Sequence, residues 1–258
     1  LFGAVAVAPL SLASAADLPQ IEARGSIRVL AVLERDGGSI APQRRESPGF
    51  DYELIDGFAR LRRLRVEIVP IDAWDKLVPA LNEGCGDVIA GSFTATDARK
   101  QAIDFTAEVM PTRSVVVTRR PRPAVRTLAE LRGEKITVFK GTSMAALLLS
   151  LGVPASNLDH EVPAEGLSAG LLTGRVTCVV HDVQTAILDQ RADPELQLGL
   201  FVGPSTSYAF GVRKSDTKLL GSLNEYIANV RRSGTWSRLT VKYFGEAALS
   251  ILQKARAE

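Results

Sequence analysis

Two cysteines, two histidines, two tryptophans and two methionines are all that the 258 residues contain of those types. Cys85 and Cys178 form no C-x-x-C pair, and His160 and His181 are the whole histidine supply, so a metal centre has no support. Aromatic residues make up 6% of the chain, and the net charge is only +2. That balance is too even to argue for nucleic acid or an anionic membrane as partner. The basic cluster RLRRLR (60–65) reads as a solvated helix end. After the first residues no apolar run reaches the length of a membrane span. What is present is ordinary for a folded domain: 46% hydrophobic and 23% charged residues, enough for a full core. The length suits one large domain or two small ones.

The first residues, LFGAVAVAPLSLASAAD, are apolar and small, and Ala13-Ser14-Ala15 fits the A-x-A cleavage pattern. Residues 1–16 are expected to be a signal-peptide remnant, with a soluble periplasmic protein as the product; a buried N-terminal helix is the other reading. An exported chain can form disulfides, but Cys85 and Cys178 fall in different halves of the pattern below. They are expected to be unpaired, mostly buried thiols.

From Ile27 onward, strand-like and helix-like stretches alternate. IRVLAV (27–32) reads as a strand, and the helical spacing of Leu54, Ile55, Phe58, Leu61 and Leu64 follows it. VEIVPI (66–71) is a strand, WDKLVPALNEG (74–84) a helix stopped by Gly84, and DVIAG (87–91) a third strand. Such a βαβαβ run marks an open α/β sheet, with ligands at the C-terminal ends of its strands. After RRPRP (119–123) the order returns: TLAEL helix, KITVF strand, GTSMAALLLSL helix, DHEV short strand, AEGLSAGLLTG helix, CVVHD strand, VQTAILDQ helix. LVPALNEGCGDVIAG and LSAGLLTGRVTCVVHD share one plan, suggesting two similar lobes. Residues 217–245 read as helix with a break at Ser233-Gly234, and Leu219, Leu220, Leu223, Ile227 and Val230 would pack on a sheet. The last residues extend that helix or fray.

At the end of the third strand, GSFTATDARKQAIDFT (91–106) offers three threonines near one arginine. Hydroxyls and a guanidinium at a strand end suit a small anion better than a buried turn.

The order of these phrases resembles the amino-acid type of extracellular solute-binding proteins, family 3, which serve ABC importers. The phrases are GSIRVLAV, GFDYELIDGFA, WDKLVPAL, DVIAGSFTATDARKQAIDFT, KITVFKGTS, VVHD and GTWSRLTVKYFG, spanning about Gly25 to Gly245. The resemblance implies an α/β fold, periplasmic binding protein-like type II, with two α/β lobes joined by two hinge strands. Lobe 1 would be 17–117 plus 208–258, lobe 2 would be 122–205, and the hinges would lie near 115–121 and 205–212.

It also implies site residues. Arg99 would grip a ligand carboxylate in a bidentate fork. Thr94 would add its hydroxyl and N–H, and Ser92 its backbone carbonyl to the ammonium. Asp182, at the end of VVHD, would pair with that ammonium, because burying either charge of an amino acid unpaired costs several kcal/mol. Trp74 would pack on the ligand side chain. Gly141, Thr142 and Ser143, opening a helix after a strand, would aim free N–H groups at the carboxylate.

Each residue has a plainer reading. Arg99 suits a surface ion pair, Trp74 a core position, and Asp182 or Thr142 a helix cap. Thr96 also suits a cap, for a helix starting at Asp97. His181 is read as structural, Phe50 and Phe105 as core, and Glu34 or Glu108 as further candidates for the cleft.

The implied function is capture of a small amino-acid-like ligand for an ABC permease, by a monomer without cofactor or catalysis. The sequence is also similar to the N-terminal module of membrane-bound lytic transglycosylase F-type proteins, which leaves open a ligand-sensing accessory protein. A third option is a secreted cyclohexadienyl or prephenate dehydratase-like enzyme on the same fold, although no nucleophile–base pair is visible.

Overall fold

The computed structural model describes residues 17–33, 40, 48–140, 142–161 and 168–257. The segment read as a signal remnant, Glu34 and Gly141 lie outside the described residues. The strands are β1 (Ser26–Ala31), β2 (Arg65–Pro70), β3 (Val88–Ile89), β4 (Asp104–Phe105), β5 (Met110–Arg119), β6 (Ile136–Thr137), β7 (Leu158–Asp159), β8 (Cys178–Asp182), β9 (Leu196–Tyr208) and β10 (Gly211–Val212).

They form two five-stranded mixed sheets. The first has the order β2-β1-β3-β10-β4, the second β7-β6-β8-β5-β9. In the first sheet, β1 runs parallel to both β2 and β3, and β10 returns antiparallel between β3 and β4. In the second, β6 is parallel to β7 and β8, while β5 is antiparallel to β8 and β9. The βαβαβ pattern seen in each half is thus two α/β lobes. Between the sheets the chain's two passes run side by side. Val109 N–H donates to the Tyr208 carbonyl at 2.8 Å, and Thr106 N–H to Phe210 at 2.9 Å. β5 and β9 then continue as paired strands within the second sheet.

The expected helices are present at Phe50–Leu61, Leu77–Asn82, Leu128–Arg132, Ser143–Ser150, Ala169–Leu172, Val183–Ala192, Thr217–Arg232 and Thr235–Phe244. Of the apolar series that marked helix Phe50–Leu61, Leu54, Ile55 and Phe58 are buried, as is Leu64 just past its end, but Leu61 is 74% exposed. It sits where the helix ends among Arg60, Arg62 and Arg63, at solvent, and the helical period no longer faces the sheet there. The basic cluster is solvated as expected, with Arg60 on Asp56, Arg62 on Glu22 and Arg65 on Glu67.

Helix Thr217–Arg232 buries Leu219, Leu223, Ile227 and Val230, side chains worth roughly 1.5–3 kcal/mol each when fully buried. The described final residues form a helix rather than fraying. Ala248–Ala257 is a helix with Ala248, Leu252 and Ala255 buried, lying against β5, β9 and Val183–Ala192. Gly245, at φ 85°, makes the joint between this helix and Thr235–Phe244. Both cysteines are free. Cys178 is buried, but Cys85 is exposed, against expectation, because it lies in the turn after the Gly84 helix stop, ahead of β3.

Candidate functional site

The first sheet supplies a guanidinium. Helix Asp97–Ala102 starts at Thr96, whose hydroxyl accepts the Arg99 N–H at 3.3 Å, so Thr96 is a helix cap. That start throws the Arg99 side chain back over the strand end. Its guanidinium carbon lies 4.0 Å from the centre of the Phe93 ring, and its Nη1 donates to the Thr94 carbonyl at 2.8 Å. Phe93 in turn stacks on Phe105, ring centres 5.7 Å apart. Among the described residues Arg99 makes no ion pair within salt-bridge distance, so it is not tied up at the surface. Burial lowers its pKa to about 10, with the charge of Asp182 opposing the shift.

The second sheet supplies the carboxylate. Asp182 ends β8, opposite Ser114 of β5. It stands at the head of helix Val183–Ala192 but makes no side-chain capping bond there. Its carboxylate instead faces the Tyr208 hydroxyl and the Thr112 hydroxyl, the latter 3.4 Å from Oδ1. Burial raises its pKa, while the Tyr208 and Thr112 hydrogen bonds and the Arg99 charge pull it down. The Thr112 hydroxyl lies closer to Gln184 Oε1, at 2.9 Å, so its single proton is shared. Tyr208 also links the sheets through its backbone, in a bridge with Thr94. Arg99, Thr94, Tyr208 and Asp182 therefore form one connected group that draws on both lobes.

The remaining candidates divide. Ser92, at φ 55°, turns its N–H to the Asp51 carboxylate at 2.7 Å. Trp74 begins a short 3-10 turn and packs, half-buried, against the apolar cluster of Leu77, Leu81, Ile89 and Phe93. The Thr142 hydroxyl stays within its own turn, donating to Phe139 O and accepting from Ala145 N–H, and Ser143 is exposed. Glu108, the other acid considered for the cleft, has its carboxylate held by both Arg231 and Arg256. Phe50 is core, against Tyr243 and Phe244.

His181 is buried, with Nε2 3.0 Å from Ser168 Oγ and 3.1 Å from Asp189 Oδ2. Ser168 also bonds Asp189. A serine–histidine–acid relay needs the acid on one ring nitrogen and the serine on the other. Here both meet the same nitrogen, so the trio is structural. Sequence reasoning missed Tyr208, Thr112 and Asp51. Only Asp51 had a signal, its place in the GFD phrase.

Residues 39–246 match the family model for bacterial extracellular solute-binding proteins, family 3. Over 221 residues the chain is 27% identical to a membrane-bound lytic murein transglycosylase F of Desulfosudis oleivorans, covering 84% of this chain and 48% of that protein. The chain thus spans about half the length of such relatives. A mutant of ArgBP from T. maritima superimposes with a TM-score of 0.77 at 26% identity, covering 88% of this chain and 99% of that one. An ancestral arginine-binding protein bound to glutamine gives 0.72, also at 26%, covering 86% and 99%. The two lobes are those of the type II periplasmic-binding-protein fold.

Proposed function

Since the chain belongs to the bacterial extracellular solute-binding proteins of family 3, we propose that it captures a small amino-acid-like solute between its two lobes and presents it to an ABC permease. The observation that carries this reading is that Arg99 of the first lobe and Asp182 of the second belong to one group connected through Tyr208, without being joined in an ion pair. Each is buried enough to shift its pKa, and each acts on the other's ionisation. A zwitterion gives both a closer partner. Arg99 takes the carboxylate, helped by Thr94 and by the start of the 143–150 helix at Gly141, Thr142 and Ser143. Asp182 takes the ammonium, aided by the backbone carbonyl of Ser92, and Trp74 packs on the side chain. Closure about the two crossings then excludes water and strengthens both pairings.

In this reading the crossings fall at 106–110, ahead of the 115–121 marked on the sequence, and at 208–210, inside the marked 205–212. The protein acts as a soluble periplasmic monomer, residues 1–16 being its signal remnant. Among the described residues no helix is long and apolar enough to cross a membrane. Binding proceeds without turnover.

The similarity to lytic transglycosylase F favours a second reading, in which the same bilobed unit senses a ligand for a partner. A thermal-shift screen against amino acids, polyamines, small peptides and cell-wall fragments separates the two, because a bound ligand raises the melting point by mass action. Amino acids alone as hits support import, and cell-wall fragments alone support sensing. Conversion of prephenate or arogenate to an aromatic product would replace both with an enzyme.

A further inference from the structure

β3 is only two residues long, and the chain must turn sharply to carry Phe93 and Thr94 to their places under Arg99. It turns through two successive positive-φ residues, Gly91 at 97° and Ser92 at 55°. Glycine takes such a conformation freely. Serine does not, and a left-handed serine persists only where its surroundings hold it.

Asp51 is what holds it. One oxygen, Oδ2, accepts the Gly91 N–H at 3.0 Å and the Ser92 N–H at 2.7 Å. Consecutive N–H groups converging on one anion form a nest, and here the anion is a side chain of the protein itself. Asp51 is 3% exposed and sits in the first turn of helix Phe50–Leu61, where the helix dipole favours a negative charge. Ile40 and Ala31 flank Gly91, so the turn is packed as well as bonded. Directly beyond it, the Phe93 ring lies under the Arg99 guanidinium and the Thr94 carbonyl accepts Nη1.

We infer that Asp51 is a positioning residue of the solute site: its carboxylate fixes the Gly91–Ser92 turn that sets Phe93 and Thr94 beneath Arg99. The inference rests on the role proposed for Arg99, and Asp51, buried under the turn, acts through Gly91 and Ser92. The other acids of its helix are engaged elsewhere, Glu53 with Lys242 and Tyr243, and Asp56 with Arg60. The two backbone donors therefore favour the Asp51 anion against burial, which raises its pKa to about 6. Below that pH the oxygen is neutral, and hydrogen bonds to it are roughly half as strong. The turn, and with it the Arg99 platform, loosens.

The test is a titration of ¹⁵N-labelled full chain, without ligand, from pH 8 to pH 5. The Gly91 and Ser92 amide protons should start downfield and move upfield with a shared midpoint near 6. The Thr94 and Arg99 amide signals should follow the same midpoint. In Asp51→Asn that common transition should vanish from all four residues, which separates it from the titration of His181 or Asp182. A wild-type spectrum with no transition at Gly91 and Ser92 overturns the proposal. So does a transition confined to those two while Thr94 and Arg99 stay still, since Asp51 would then hold only its own turn. If Asp51→Asn does not fold, the wild-type comparison alone decides. Arg99 itself is tested separately, by calorimetry on Arg99→Ala, so the two readings fail in different experiments.

Discussion

Arg99, on a helix of the first lobe, and Asp182, at a strand end of the second, are linked through Tyr208: its backbone bridges Thr94, whose carbonyl accepts from Arg99, and its hydroxyl bonds the Asp182 carboxylate. Neither side chain is spent on a helix cap, and Arg99 rests on an aromatic ring and a carbonyl rather than on a carboxylate. Two opposite charges held this way, from separate lobes, are what the proposed capture of a zwitterion rests on.

Arg99→Ala should abolish binding of an amino-acid ligand, with a loss of about 30-fold to over 1,000-fold, the usual range for truncating one partner of a buried charge pair. The fold should survive, because the side chain contributes a stacking contact of about 0.5–2 kcal/mol rather than core packing. Calorimetry together with a melting curve reads both. Unchanged affinity removes Arg99 from the site.

Asp51 gives a pH signature in stability. Its folded pKa of about 6 lies above the ordinary value of 3.8. Between those values the folded state binds more protons than the unfolded, so stability falls as pH rises from 4 to 6. Above pH 6 the full cost applies, on the order of 3 kcal/mol. Urea unfolding should therefore show Asp51→Asn gaining on the wild type at pH 7.5 relative to pH 4. A difference that does not change with pH contradicts the raised pKa.

Asp87 should matter for folding alone. Its fully buried carboxylate receives the side chains of Arg24 and Arg28 and the Arg28 N–H, pinning the start of β1 to the lead-in of β3. Asp87→Ala strands the largely buried Arg28 charge, while Arg24 keeps the Ser26 carbonyl, and the expected loss is about 3–5 kcal/mol. A urea midpoint shift of under a third of that size would show that water takes over the contacts.

Thiol chemistry should distinguish the cysteines. Cys85 is exposed, while Cys178 is buried and burial pushes its thiol pKa well up. A thiol reagent should label one cysteine per native chain and two in denaturant. Two labelled in the native state would mean that the β8 face opens.

Most of the scaffold was legible because its elements carry a clear period. Leu54, Ile55 and Phe58 mark one helix face, and Cys178 to His181 one buried strand. β9 was not legible, since Gly199, Gly203 and Pro204 interrupt it and its pairing to β5 is non-local. The last helix was left open, as its buried face is made of small alanines and Leu252. At the site, Arg99 and Asp182 stood out as charges at strand ends. Tyr208 and Thr112 did not, because they reach Asp182 only after the two chain passes come together.

The most direct measurement compares an L-amino acid with its deaminated and decarboxylated analogues by calorimetry, on wild type, Arg99→Ala and Asp182→Asn. L-arginine, agmatine and the 2-deamino acid make one such set. The account predicts that wild type binds the zwitterion at least ~30-fold more tightly than either analogue, that Asp182→Asn loses the preference over the acid, and that Arg99→Ala loses the preference over the amine. Equal affinity of wild type for all three, or equal losses in both variants for both analogues, would contradict it.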